Sequence, residues 1–180
     1  LADDCGISHN TVRSWISVLE ASYIIFLLEP YYKNYNKRII KSPKLYFYDT
    51  GLAATLLGLE TPQQVQTYYN AGSLFETYVV SEVIKMQYHQ DTRPRTWYWQ
   101  DKRGKEIDLI LEHGDRTTAV EIKRGKTIQP DSFKNLLSWQ KLSQTPATNS
   151  YVVYGGDESQ KRTQASVVGW KNIETMLQGE

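Results

Sequence analysis

A chain of 180 residues and 20.8 kDa has room for one medium domain or two small ones. With 40% hydrophobic and 23% charged residues it has the composition of a soluble globular protein, and a net charge of +1 leaves any nucleic-acid role to local clusters. The single cysteine, Cys5, excludes an internal disulfide and suits a reducing, cytoplasmic setting, and the longest apolar run, YIIFLLEPYY, is broken by Glu29 and Pro30, so no membrane span is expected.

In chain order, residues 2–20 read as two short helical patterns, with Ala2, Ile7, Val12, Trp15, Ile16 and Leu19 as the apolar set. Gly6 lies in the gap and Ser8 is placed to cap the second helix. This spacing fits a helix-turn-helix in which Val12 and Trp15 pack inward and His9, Asn10, Arg13 and Ser17 face out. Residues 23–32 and 44–48 are strand-like. The loop between them, 33–44, carries five basic residues and no acid. A basic hairpin after a helix-turn-helix reads as a wing, with Arg13, Lys37, Arg38 and Lys41 as candidate phosphate contacts. Thr50 is placed to cap a helix closed by Gly58, and polar residues 60–72, with Pro62, Asn70 and Gly72 as breakers, read as a domain boundary. The chain opens at Leu1 inside an amphipathic pattern and has no signal peptide, as a piece of a longer protein would.

Beyond the boundary, 73–88 predicts a helix, and 95–100, 105–112 and 117–123 predict a three-strand meander. A helix over 130–142, a strand at 150–155, and a last short strand and helix follow, giving an α/β arrangement of helix, meander, helix, strand. Trp97 and Trp99 share a face and pack under a helix, while His9, His89 and His113 lie apart, without metal-type spacing.

The chemistry concentrates in EIDLILEHGDRTTAVEIKRG, residues 106–125. Strand alternation points Ile107, Leu109 and Leu111 one way and Glu106, Asp108 and Ile110 the other, and sets Val120 and Ile122 opposite Glu121 and Lys123. Paired through the short HGD turn, the strands bring Asp108, Glu121 and Lys123 together. Two adjacent carboxylates repel unless a divalent cation sits between them, and Mg²⁺ takes one or two carboxylates plus water and phosphate. A lysine beside such an ion can serve an attacking water, which is the chemistry of phosphodiester hydrolysis. Glu76, beside the stripe Val79, Val80 and Val83, either ligates the metal or holds Lys123. Taken pair by pair the same residues read as a cross-strand salt bridge. Glu106 and Glu112 read as solvated strand ends, Gln140 as a surface amide, and Arg124 and Lys126 as candidate backbone contacts or solvated strand-end cations.

The acid on one strand, D/E-x-K on the next and an acid on the preceding helix resemble the PD-(D/E)XK nuclease-like superfamily, matched in order by Asp108, Glu121, Lys123 and Glu76, although Ile107 stands where the name has Pro. LFETYVVSEV, KEIDLIL, AVEIKRG and KSPKLYFYDTGLAATLLG also resemble blocks of the C-terminal half of bacterial and archaeal AAA-type ATPases. The resemblance implies a winged helix over 1–60 and a restriction-endonuclease-like α/β/α domain over 71–180. It also implies an ATP-binding N-terminal domain outside this chain, since no G-x-x-x-x-G-K-[ST] occurs. The expected activity is Mg²⁺-dependent cleavage of nucleic acid, most simply DNA, with Asp108 and Glu121 on the metal. A module that has lost catalysis, and binds DNA or protein to regulate the ATPase, is the alternative.

Overall fold

The computed structural model describes residues 2–32, 42–90 and 93–177. Ser8 accepts a hydrogen bond from the Thr11 N–H at 3.1 Å and so starts α2 (His9–Ala21). The four-residue α1 (Ala2–Cys5) precedes it, and Gly6, at φ 64°, makes the turn between them. Val12 is half-buried, but the inward packing expected of Trp15 does not occur: Trp15 is 60% exposed, and α2 fully buries none of its side chains. The helix packs chiefly along one strand, too narrow a support to cover both flanks of its apolar stripe.

That strand is β1 (Ile25–Leu28), which pairs antiparallel with β2 (Lys44–Phe47). The expected basic wing residues Lys37, Arg38 and Lys41 lie outside the described residues. α3 (Thr50–Leu56) is capped by Asp49, not by Thr50. In D-T-G-L the extended Asp49 is one residue closer to the start, and its carboxylate accepts the Leu52 N–H at 3.0 Å. Gly58 at φ 72° ends the helix as the sequence predicts. The expected boundary at 60–72 holds a further helix, α4 (Pro62–Thr67), started by a Thr61–Gln64 capping box with Pro62 at its first turn.

α5 (Ala71–His89) then crosses one face of a six-stranded sheet. The order is β3 (Thr96–Gln100), β4 (Glu106–His113), β5 (Arg116–Lys123), β6 (Ser150–Tyr154), β8 (Ser166–Gly169) and β7 (Gln160–Lys161). The meander β3–β4–β5 is antiparallel, β5–β6–β8 is parallel, and β7 is an antiparallel edge that the sequence reading missed. A 3₁₀ turn (Pro130–Phe133) and α6 (Lys134–Ser143) supply the crossover from β5 to β6 and cover the other face. A 3₁₀ segment, Trp170–Met176, closes the α5 side.

Two cores result. On the α5 side Val79, Val80 and Val83 meet Leu109, Leu111, Val120 and Ile122. On the α6 side Leu136 and Trp139 meet Trp99, Ile107, Ile110 and Ala119, with the Trp99 and Trp139 rings 5.2 Å apart. Trp97 packs against this second core beside Trp99, as expected of the WYW run. Ile107 thereby departs from the face it was assigned with Leu109 and Leu111. Pairing runs Trp97↔Ile110 and then Trp99↔Ile107, two steps on β3 against three on β4, so a bulge at Asp108–Leu109 reverses the alternation. The hairpin joins the first core, where Phe26, Leu28 and Tyr46 pack with the α5 valines. Its exit runs along β3, with Tyr31 N–H donating to Tyr98 O at 2.7 Å and Tyr98 N–H to Glu29 O at 3.1 Å. Among the described residues no helix is long and apolar enough to cross a membrane.

Candidate metal-binding acidic site

The bulge and the end of the β4–β5 ladder fall together. Pairing reaches Leu109↔Val120, after which the Asp108 carboxylate, rather than a β4 carbonyl, takes the Ile122 N–H at 2.6 Å. Asp108 is thus buried at a fork between strands. Burial pushes its carboxyl well above the ordinary carboxylate range, and the nearby Glu121 and Glu76 charges push it further. Lys123 and the Ile122 N–H work in the opposite direction without cancelling them.

Oxygens of Glu76, Glu106 and Asp108 lie within 4.8 Å of one another. Glu106, read from sequence as a solvated strand end, is therefore part of the site, and its Oε2 takes the Gln100 amide at 2.6 Å. The cluster also has a member from the hairpin that the sequence reading omitted. Lys44 Nζ donates to Glu76 Oε1 at 3.2 Å and to Glu106 Oε1, and lies 5.1 Å from the Tyr98 ring centroid. Burial lowers the Lys44 pKa, but the facing Glu76 and Glu106 outweigh it and the net shift is upward. The Tyr46 hydroxyl donates to the same Glu76 oxygen at 2.5 Å, and burial followed by that carboxylate's charge pushes the phenol far up, keeping it a donor.

Glu121 stands outside this trio. Only 1% exposed, it takes the Lys123 ammonium on Oε2 at 2.6 Å, while among the described residues no well-formed hydrogen bond reaches its buried Oε1, which leaves the Asn135 amide as a loose neighbour. Burial raises its pKa, against the lowering effect of Lys123 and of the Asn135 amide on α6. Burial likewise lowers the Lys123 pKa, but Glu121 and Asp108 outweigh it and leave it raised. The strand end carrying Lys123 is fixed by Gly155, whose N–H donates to Lys123 O at 3.1 Å. A Cβ at Gly155 would come within 2.1 Å of the Arg124 carbonyl oxygen.

Glu76, Glu106 and Asp108 could hold a divalent cation in place of the Lys44 ammonium that bridges Glu76 and Glu106. Oxygens 4.8 Å apart or closer can share one ion with ligand distances of about 2.0–2.6 Å. A cation there would favour the ionised Asp108 carboxyl, which burial and the neighbouring acids oppose.

Residues 71–173 match the family described as "Domain of unknown function (DUF4143)". The chain belongs to this family. Glu76, Glu106, Asp108, Glu121 and Lys123 all fall within the DUF4143 segment, whereas Lys44 and Tyr46 fall in residues 1–63, which match a second domain of unknown function, DUF8612. An uncharacterized protein of Mycobacterium bovis and one of Mycobacterium tuberculosis are each 28% identical over 127 residues. Those residues are 71% of this chain and 28% of each relative, so the match spans less than a third of the relatives' length.

The DUF4143 portion thus receives two of its acidic site's partners from the preceding hairpin. The remaining sequence candidates disperse. Arg13 is exposed on α2, and Lys126 is exposed beyond β5. Arg124 donates to the Gln66 carbonyl near the end of α4, and Gln140 braces Ser150 and Gln164 away from the acids. His9, His89 and His113 are exposed. Lys44 and Glu106 had one legible signal: period-2 counting back from Tyr46 and Asp108 puts each on the same face as a site residue.

Proposed function

We propose that the acidic site hydrolyses phosphodiester bonds in nucleic acid with the help of Mg²⁺, within a winged-helix and PD-(D/E)XK-like C-terminal portion of an AAA-type ATPase whose ATP-binding domain lies outside this chain. The observation that carries the reading is the meeting of Asp108 with Glu76 and Glu106 beside the Glu121–Lys123 pair. Four carboxylates against two ammoniums leave a deficit of two charges when all are ionised, which suits one divalent ion. Asp108, with Glu76 and Glu106, is the primary holder, and the Glu121 carboxylate, expected from sequence to share the ion with Asp108, instead lies beside this trio and fixes Lys123. Bound there, Mg²⁺ would neutralise phosphate charge and acidify a coordinated water.

The chain's own residues have separable parts. Glu121 fixes the Lys123 ammonium, which is about two-fifths exposed and so available to position a water or a leaving oxygen. Tyr46 and Lys44 hold the Glu76 carboxylate in one orientation. Lys37, Arg38 and Lys41 of the wing expected from sequence, with Arg13, Arg124 and Lys126, would supply sequence-independent phosphate contacts.

The test is cleavage of labelled DNA and RNA with and without Mg²⁺. Cleavage that needs the metal and falls at least 100-fold in both Asp108→Ala and Lys123→Ala is the expected result. Activity indifferent to either substitution removes the assignment. One observation favours a non-catalytic DNA- or protein-binding module instead. The Lys44 ammonium already bridges Glu76 and Glu106, the arrangement of a self-neutralised structural cluster. That reading expects no cleavage by wild type or Lys44→Met, and nucleic-acid or protein binding that ignores Mg²⁺.

A further inference from the structure

β5 carries charge at both ends. Its last residues, Glu121 and Lys123, belong to the acidic site, while Arg116 begins the strand about 23 Å away at 3.3 Å per residue. By alternation Arg116 continues the row of Thr118 and Val120, on the α5 side of the sheet. It is half-buried, and its Nε is sealed from solvent with no hydrogen-bond partner among the described residues. The turn residue His113, its Cα partner across the ladder, is exposed and offers no carboxylate.

Arg116 lines two cavities. The larger, about 810 Å³, lies at the starts of β6 and β8 beside β7, and the smaller, about 270 Å³, lies against the end of α5 and is also lined by Arg93, Arg95 and Glu112, whose carboxylate takes Arg95 and the Tyr31 hydroxyl. Among the described residues no carboxylate lines the larger one. Its walls are donors and short apolar surface: Asn149, Ser159, Lys161 and Ser166, with Tyr151 and Val168. A buried guanidinium nitrogen without an acceptor is destabilising in a folded chain. Beside Met176 and Leu177 the aliphatic stem suffices for packing, which leaves the sealed Nε without a role there.

We infer that Arg116 anchors a second ligand site, taking the phosphate monoester of a small organic molecule in the larger cavity. The guanidinium fork pairs with two oxygens of an oxyanion, and a carboxylate would then be saturated. The third oxygen of a phosphate monoester uses the surrounding hydroxyl, amide and ammonium donors. The volume lies within the range of small-molecule pockets, and Tyr151 and Val168 give the organic part an apolar wall. This site is separate from the acidic one and does not depend on its being a nuclease.

The test is calorimetric titration of the full chain, in EDTA and at fixed ionic strength, with inorganic phosphate, ribose 5-phosphate, ribose, and an oligothymidylate lacking terminal phosphates. Ribose 5-phosphate should bind saturably and more tightly than inorganic phosphate, and ribose should not bind. Arg116→Met should weaken ribose 5-phosphate at least tenfold, with Arg116→Lys in between and Asp108→Asn like wild type. Circular dichroism of each variant establishes that it is folded, and the lysine variant keeps the test decisive if the methionine variant is not. Amide shifts on titration should centre on Tyr151, Ser166 and Val168. Absence of saturable binding by both phosphates, an unaltered affinity in the Arg116 variants, or oligothymidylate binding that equals ribose 5-phosphate and falls with Arg116→Met would each overturn the inference.

Discussion

Asp108 holds its proton more tightly in the folded chain than in the unfolded one, because burial and the charges of Glu121 and Glu76 oppose ionisation. A carboxyl raised in this way contributes stability fully below the ordinary carboxylate range, and loses it as pH rises through the raised folded pKa. Glu121 shifts in the same direction and adds to the loss. Asp108→Asn removes the Asp108 part while keeping an oxygen for the Ile122 N–H. The variant should therefore melt higher than wild type at pH 8, by about 2–4 °C for each kcal/mol relieved, and no higher at pH 4. Thermal melts at the two pH values decide this, and an equal or lower melting temperature at pH 8 would show that Asp108 is already compensated. Lys44 and Lys123 work the other way. Their pKa values are raised despite burial, so their contribution persists through neutrality and is lost only as pH rises through values above the ordinary lysine range. Added Mg²⁺, if the site takes it, should lift wild type at pH 8 and leave Asp108→Asn little changed.

At the scale of elements, α4 and β4 show where sequence patterns stop informing. Residues 62–67 bury no side chain, so no apolar periodicity marks them, and Pro62 reads as a breaker. The helix rests on local signals instead: a Thr61–Gln64 capping box, proline in the first turn, and the Arg124 side chain on the Gln66 carbonyl. Thr61→Ala should then raise amide exchange across 62–67 sharply while changing global stability by less than about 0.5 kcal/mol, because nothing in the core depends on the cap. A loss of about 1–2 kcal/mol in urea unfolding would mean that α4 is coupled to the core. In β4 the period-2 rule held until the bulge. It paired Asp108 with Glu106 correctly and failed for Ile107 against Leu109, because an extra residue in one strand leaves no trace in hydrophobic alternation. Strong runs such as 73–88, 105–112 and 117–123 were legible, being long and regular enough to fix both type and place. Period-2 counting from Tyr46 places Lys44 on the right strand face but does not mark it as a site residue. Its role depends on the hairpin folding back onto α5, a contact between segments 32 residues apart that no local pattern encodes.

The same fold-back governs the whole molecule. Composition and the polar stretch 60–72 encourage division into a unit over 1–60 and another over 71–180, yet the buried side chains do not respect that division. Phe26 and Leu28 of β1 and Tyr46 of β2 sit in one core with α5 and the sheet, and Tyr31 enters the core on the opposite face. The ion pairs from Lys44 to Glu76 and Glu106 and the backbone pairing of Tyr31 and Glu29 with Tyr98 cross the same line. A hairpin so embedded cannot leave without opening the α5 core and uncovering Glu76. Leu28, 2% exposed, is the side chain on which to test this. Leu28→Ala should cost about 2–5 kcal/mol, the usual range for such a truncation. If residues 1–60 were an independent unit, that loss would appear as an early transition, seen by probes in the hairpin and not by Trp99 and Trp139 on the far side of the sheet. With a shared core the loss should move one transition, with tryptophan fluorescence and far-ultraviolet circular dichroism coincident in urea. Two separated transitions in the variant would return the hairpin to an autonomous domain. They would also make its lysine a reversible visitor to the acidic site rather than a fixed part of it.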